Sequence, residues 1–147
     1  MKKFLVLILV SATVAVSGCT DRATGPKISS PDSVKIEGNT TENIEIQVKN
    51  TFKDKTASFR VNITSPAIVT PRDPGTRRKI SSLEMGEAMA GRKTVKKVLS
   101  LEGNPEKLGS LETGTDQLIL TAVAQVSGNL TRERRISRKN ITVTVKK

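Results

Sequence analysis

Apolar and polar residues alternate one by one along most of this chain, and that period of two constrains its fold more than any other feature. In the stretch from Asn43 to Asn50, Ile44, Ile46 and Val48 are set against Glu45, Gln47 and Lys49. A strand sends successive side chains to opposite faces, so the pattern gives a half-buried β-strand, whereas on a helix it would scatter apolar groups around the axis. Ala57 to Ile63 repeats it, with Phe59, Val61 and Ile63 against Ser58, Arg60 and Asn62. Val34 and Ile36 alternate with Lys35 and Glu37, and Ile141, Val143 and Val145 form a last alternating strand. Gln117 to Val126 is apolar on both faces, with Leu118, Leu120, Ala122, Ala124 and Val126 on one and Ile119 and Val123 on the other. It reads as a strand in the middle of a sheet.

The segments between are less regular. Ala67 to Thr70 reads as a short strand after Pro66, and Pro71 to Lys79 as a loop with a tight turn at Pro74-Gly75. Leu83 to Ala90 suits a helix by propensity, but Gly86 and Gly91 leave a segment too short to stand alone. A strand over Ser82 to Met85, then a turn ending at Gly91, is expected instead. Val95, Leu99 and Leu101 share a face while Val98 is out of phase, so a bulge near Lys96-Lys97 is expected to restore the register. Asn104 to Thr115 is turn-rich, and Ser127-Gly128-Asn129 reverses the chain. About seven short strands separated by turns predict an all-β fold, a single antiparallel immunoglobulin-like β-sandwich over residues 31–147.

This strand set resembles the immunoglobulin-like modules of prokaryotic surface proteins, especially CARDB-type cell-adhesion-related domains. The likeness runs from NIEIQVKN through ASFRVNIT and LEMGEAMAGRKTVKKVLSLEG to the closing pair GTDQLILTAVAQV and NITVTVKK, within Ser33 to Lys147. It implies a binding or spacer module, although a shared fold carries no function by itself. The paired cysteines, core Trp and corner Tyr of antibody domains are missing, so that branch is not implied.

Composition narrows the chemistry. The chain has no His, Trp or Tyr, and Cys19 is its sole cysteine. Imidazole catalysis, His-ligated metals, an internal disulfide and a thiolate zinc cluster are excluded. No Ser is followed three positions later by Lys and no G-x-S-x-G occurs, so a hydrolase of the familiar kinds is not expected. The nearest carboxylate pairs, Glu84/Glu87 and Glu102/Glu106, read as solvated charges rather than acid–base partners. No enzymatic activity, cofactor or metal site is expected.

The N-terminus carries an address. Lys2 and Lys3 precede an apolar run from Phe4 to Val16, and Ser17 and Gly18 lead to Cys19. The run is shorter than the roughly 20 residues a spanning helix needs. Val16-Ser17-Gly18-Cys19 resembles the lipobox of prokaryotic lipoproteins, with Val16 where Leu is commonest. The resemblance implies removal of residues 1–18, a diacylglycerol on Cys19 and attachment to the cell membrane outside the cytoplasm. A secretory signal with an incidental cysteine, or a retained anchor, is the alternative. Residues 19–30, polar and broken by Gly25-Pro26, then form a flexible tether.

With 25 Lys and Arg against 14 Asp and Glu, the chain has a net charge of +11. Much of the excess is local, and Arg77, Arg78, Arg92, Lys93, Arg134 and Arg135 are candidate contacts to a polyanion, either an envelope polymer or anionic lipid. The plain reading of the same residues is a solubilising surface and charged strand edges. Nucleic acid is disfavoured by export and by the lack of aromatic residues among the basic ones. Asn39, Asn62, Asn129 and Asn140 each open an N-x-T sequon, acceptors for N-glycosylation where a host has the machinery, although the β-propensity of Thr produces such triplets without it. The expectation is a membrane-anchored surface lipoprotein acting as a binding or envelope-structural module. Its partners would be membrane lipid through Cys19, and an envelope polymer or another surface protein. A polyanion-binding protein and an accessory subunit of a secreted enzyme or transporter are the alternatives.

Overall fold

A computed structural model describes residues 25–52, 55–88, 93–126 and 133–147. Nine strands are found among them: β1 (Lys27–Ser29), β2 (Ser33–Glu37), β3 (Thr41–Lys49), β4 (Ala57–Thr64), β5 (Val69–Arg72), β6 (Ser82–Ala88), β7 (Thr94–Gly103), β8 (Thr113–Val126) and β9 (Glu133–Lys146). They form two sheets, one ordered β1-β3-β7-β5 and the other β2-β9-β8-β4-β6. The apolar positions predicted from alternation meet between them. Ile46, Val61, Leu120 and Val143 are fully buried, and Lys49, Arg60 and Gln125 face solvent. The all-β sandwich is therefore the fold of the protein.

Its pairing departs from a purely antiparallel scheme. β2 runs parallel to β9, with Val34 opposite Val143 and Ile36 opposite Val145. The first strands hydrogen-bond to both sheets: β1 pairs with β3, and β2 then crosses to the edge of the other sheet beside β9. The A-B-E-D and A′-G-F-C arrangement of immunoglobulin-like domains is recognisable. Here, however, β4 is followed first by β5 in the opposite sheet and only then by its own neighbour β6.

The flexible tether expected over 19–30 is corrected at its C-terminal part. Lys27, Ile28 and Ser29 pair with Lys49, Val48 and Gln47, and Pro26 is buried. Composition fails here because an edge strand is held by backbone hydrogen bonds that need no apolar side chain. The segment also answers a demand made by β9. Residues 135, 137 and 139 oppose Ala124, Ala122 and Leu120 on the core-facing side of β8, yet they are Arg, Ser and Lys. The entering chain supplies polar partners, as the Ser137 hydroxyl donates to the Pro26 carbonyl and Lys139 forms an ion pair with Asp32.

Other boundaries move for similar reasons. β7 pairs with β3 without interruption from Thr94 to Glu102, so the bulge expected at Lys96-Lys97 is absent. Lys97 points inward beside Ile46 where β5 no longer covers the edge, and its stem reaches solvent. The register shift lies instead where β4 meets β6, between Phe59/Arg60, opposite Gly86 with φ of 88°. This bulge changes the parity of β6, so that Leu83 and Met85 are followed inward by Ala88. β5 covers 69–72 rather than 67–70, taking in Pro71 and Arg72, and β6 reaches Ala88. The predicted turns ending at Gly91 and at Ser127–Asn129 lie outside the described residues.

The two ends of the sandwich differ. At the proximal end the described chain enters at Gly25, whose carbonyl accepts a bond from the Thr51 hydroxyl at 3.0 Å. There Lys27, Lys49 and Thr94 align on one sheet, and Ala88, Ala57, Val126 and Glu133 on the other. At the distal end, Gly103 donates to the Thr40 carbonyl at 3.1 Å and the β8–β9 ladder closes at Thr113 and Lys146.

Candidate functional site

The proximal end is organised by Asn50, a fully buried polar residue that follows the last residue of β3. Its side-chain amide donates to the carbonyls of Lys55 at 2.9 Å and Ala88 at 3.0 Å, and its Oδ1 accepts from the Phe52 amide at 3.0 Å. Its own amide donates to the Lys93 carbonyl at 2.8 Å. One residue thus ties three segments together, the side chain joining the β3–β4 connection to the end of β6 and the backbone amide reaching the residue before β7. Sequence reading missed it, because an Asn after an alternating strand looks like any turn residue.

Around this clamp, Lys27, Lys49, Lys55 and Lys93 are exposed and Arg135 is half-buried on β9. Of the six predicted polyanion contacts, Lys93 and Arg135 therefore share this end. Arg134 is paired in the backbone with Gln125, and Arg92 lies outside the described residues.

Arg77 and Arg78 are elsewhere, in the loop that leaves β5 beside β7. Arg72 pairs with Ser100, and from there to Lys93 is roughly 20 Å of strand at about 3.3 Å per residue. The loop is shaped by Asp73, whose carboxylate accepts from the Thr76 amide at 2.7 Å and the Thr76 hydroxyl at 2.8 Å. These bonds, amide first and hydroxyl second, hold its pKa below the ordinary aspartate value, with Gly75 and the charge of Lys97 adding to the shift. Arg77 adopts φ of 58°, and its carbonyl accepts from the Arg72 guanidinium at 3.0 Å. Arg72 also pairs with Glu102. The loop and the outer face of β3 and β7 enclose an open hollow of about 550 Å³.

The second hollow, of about 510 Å³, lies on the outer face of β4 and β8, where Arg60 and Glu84 form an ion pair beside Ser58, Asn62, Val123 and Gln125. Glu84 and Glu102 are thus each engaged by an arginine, while Glu87 and Glu106 are exposed. Neither carboxylate pair converges on a shared proton or an enclosed cavity. Among the described residues no group of three or more acidic, Cys or His side chains converges as metal ligands would.

Three sequon asparagines are exposed: Asn39 in the turn after β2, Asn62 on β4 and Asn140 on β9. Asn62 and Asn140 share the outer face of their sheet, opposite Thr121 and Ile119 on the intervening β8. Asn129 and Cys19 lie outside the described residues.

No known family model matches the chain, and no curated protein matches it. Among solved structures, it is similar to AggA, the major subunit of aggregative adherence fimbriae type I from Escherichia coli, at 14% identity over 82% of this chain and 93% of that one, with a TM-score of 0.45. The CooA pilin subunit of enterotoxigenic Escherichia coli is similar at 15% identity over 82% of this chain and 98% of that one, with a TM-score of 0.44. The Vibrio cholerae VesB protease reaches a TM-score of 0.44 at 10% identity, over 90% of this chain and 35% of its own. The architecture rests on the strand pairing described above, and these likenesses add nothing to it.

Proposed function

We propose that this protein is an exported surface lipoprotein, held in the membrane by a diacylglycerol on Cys19, whose β-sandwich is a non-catalytic binding or envelope-structural module. The observation that carries the reading is the nearness of the fold to the lipobox-like segment. Gly25, the first of the described residues and six positions after Cys19, already contacts the sandwich backbone, so the domain lies close to that cysteine in the chain. Two acyl chains give durable attachment where one is marginal. The engagement of Glu84 and Glu102 by arginines, and the open shape of both hollows, support a module that binds or spaces rather than one that catalyses. The resemblance to CARDB-type modules points the same way.

A single polyanion site spanning all six predicted arginines and lysines is a poorer reading, since Arg77 and Arg78 stand apart from Lys93 and Arg135. The attachment is tested by Cys19→Ser. That variant is expected to lose lipid label and to accumulate as an unprocessed or soluble form. Wild-type protein found wholly in the soluble fraction, with no acyl mass on its N-terminal peptide, would overturn the reading.

A further inference from the structure

Charge is unevenly placed along the sandwich, and the uneven end is the one the chain enters. Lys27, Lys49, Lys55, Lys93 and Arg135 gather at the proximal end, where Glu87 and Glu133 are the acidic residues among those described. At the distal end the carboxylates of Glu37, Glu42, Glu106, Glu112 and Asp116 are interspersed with Lys107, Lys146 and Lys147. This asymmetry follows from the strand order and does not appear in the sequence, where the proximal lysines are spread from position 27 to position 93.

The direction of entry turns the asymmetry into an orientation. Gly25 is fastened at the proximal end by Thr51, and its backbone abuts the Ile136 carbonyl. At no more than about 3.6 Å per residue, the six steps from Cys19 to Gly25 hold the cysteine within about 22 Å of that end. A lipid on Cys19 therefore brings this end, rather than the distal one, toward the bilayer surface.

We propose that the proximal end is a headgroup-docking surface, on which Lys27, Lys49, Lys55 and Lys93 seat the domain upright against anionic phospholipid. The inference rests on the anchoring reading and deepens it by naming what the anchored end touches. Each basic side chain at an anionic surface strengthens association about fivefold, and the effect is confined to about 8–10 Å by screening. A tether of at most about 22 Å lets these lysines come within that range. Membrane is favoured over an envelope polymer because an anchored domain turns this end toward the bilayer, leaving the distal end to meet polymers. In this pose the end of β2, Asn39 and the hollow beside Arg72 and Arg77 lie away from the bilayer.

The test is lysine acetylation, followed by mass spectrometry, on the full natively acylated protein. It is purified in detergent and reconstituted into vesicles of phosphatidylcholine alone or phosphatidylcholine with phosphatidylglycerol. Lys27, Lys49, Lys55 and Lys93 are expected to react about fivefold more slowly on the anionic vesicles, while Lys107 and Lys146 are unchanged, and high salt should erase the difference. The pair Lys49→Glu with Lys93→Glu should abolish protection of Lys27 and Lys55. The equal-charge pair Lys35→Glu with Lys107→Glu should leave it intact, with circular dichroism confirming that both variants fold. Equal rates on the two vesicles, or protection at Lys107 and Lys146 instead, would refute the docking surface. Soluble poly(glycerol phosphate) that protects the protein in neutral vesicles as strongly as phosphatidylglycerol does would assign the surface to a polymer and refute it equally. An N-terminal peptide without acyl mass would remove the anchoring reading and this inference with it, whereas an acylated but unprotected protein removes only this inference.

Discussion

Single side chains in this protein do work that their neighbours in sequence do not announce. Asn50 satisfies two carbonyls and one amide at full burial, so Asn50→Ala leaves all three without that partner next to a small void. Each buried polar group left unpaired costs about 1–3 kcal/mol, and partial access of water keeps the sum below the simple total. Chemical denaturation is expected to show a loss of about 2–4 kcal/mol, and a change under half a kcal/mol would mean that the connections at this end hold themselves. Asp73 gives a pH signature. Its carboxylate is stabilised by Thr76, so its native pKa is depressed. The associated stability is complete above the ordinary aspartate pKa of about 3.9 and is lost as pH falls through the native value. An NMR titration of the Asp73 carboxyl should show a midpoint below the ordinary one, and Thr76→Ala should move it upward. A midpoint that ignores Thr76 would contradict the turn geometry.

Among the strands, β6 and β9 show how an element can obey its partners rather than its own pattern. β6 keeps Ala88 inward only because the bulge at Gly86 inserts one residue. With φ of 88° at that position, a β-branched side chain is disfavoured although nothing lies within 4 Å of its Cβ. Gly86→Val should therefore cost about 1–3 kcal/mol through the backbone alone, and Gly86→Asn less, because Asn tolerates left-handed conformations better. If Val were as stable as Gly, the bulge would have to move. β9 is longer than its apolar alternation, since only Ile141, Val143 and Val145 carry the period-two signal. Its first half is recruited by an unbroken ladder to β8, from Val126 opposite Glu133 onward. Its core-facing Ser137 and Lys139 are then met by the entering chain. Arginine and lysine at inward positions near a free edge also discourage a second molecule from adding a strand there.

At the scale of the whole molecule, the split between what alternation determined and what pairing decided follows the range of the forces. Alternation determined that this chain is a β-sandwich and which side chains fill most of it, because a period of two leaves each apolar residue one face on which to be buried. Ile44, Ile46 and Val48, like Leu118 to Val126, were legible for that reason. The lipobox-like segment is also a local signal, and attachment through Cys19 remains a proposal. Tertiary structure decided the rest. That Lys27 to Ser29 form a strand, that β2 lies parallel to β9, and that Arg77 and Lys93 are separated while Lys27, Lys49 and Lys93 converge all depend on contacts between residues distant in sequence. Backbone hydrogen bonds across a sheet carry no side-chain signature, and a charge cluster drawn from several strands has no local pattern to betray it.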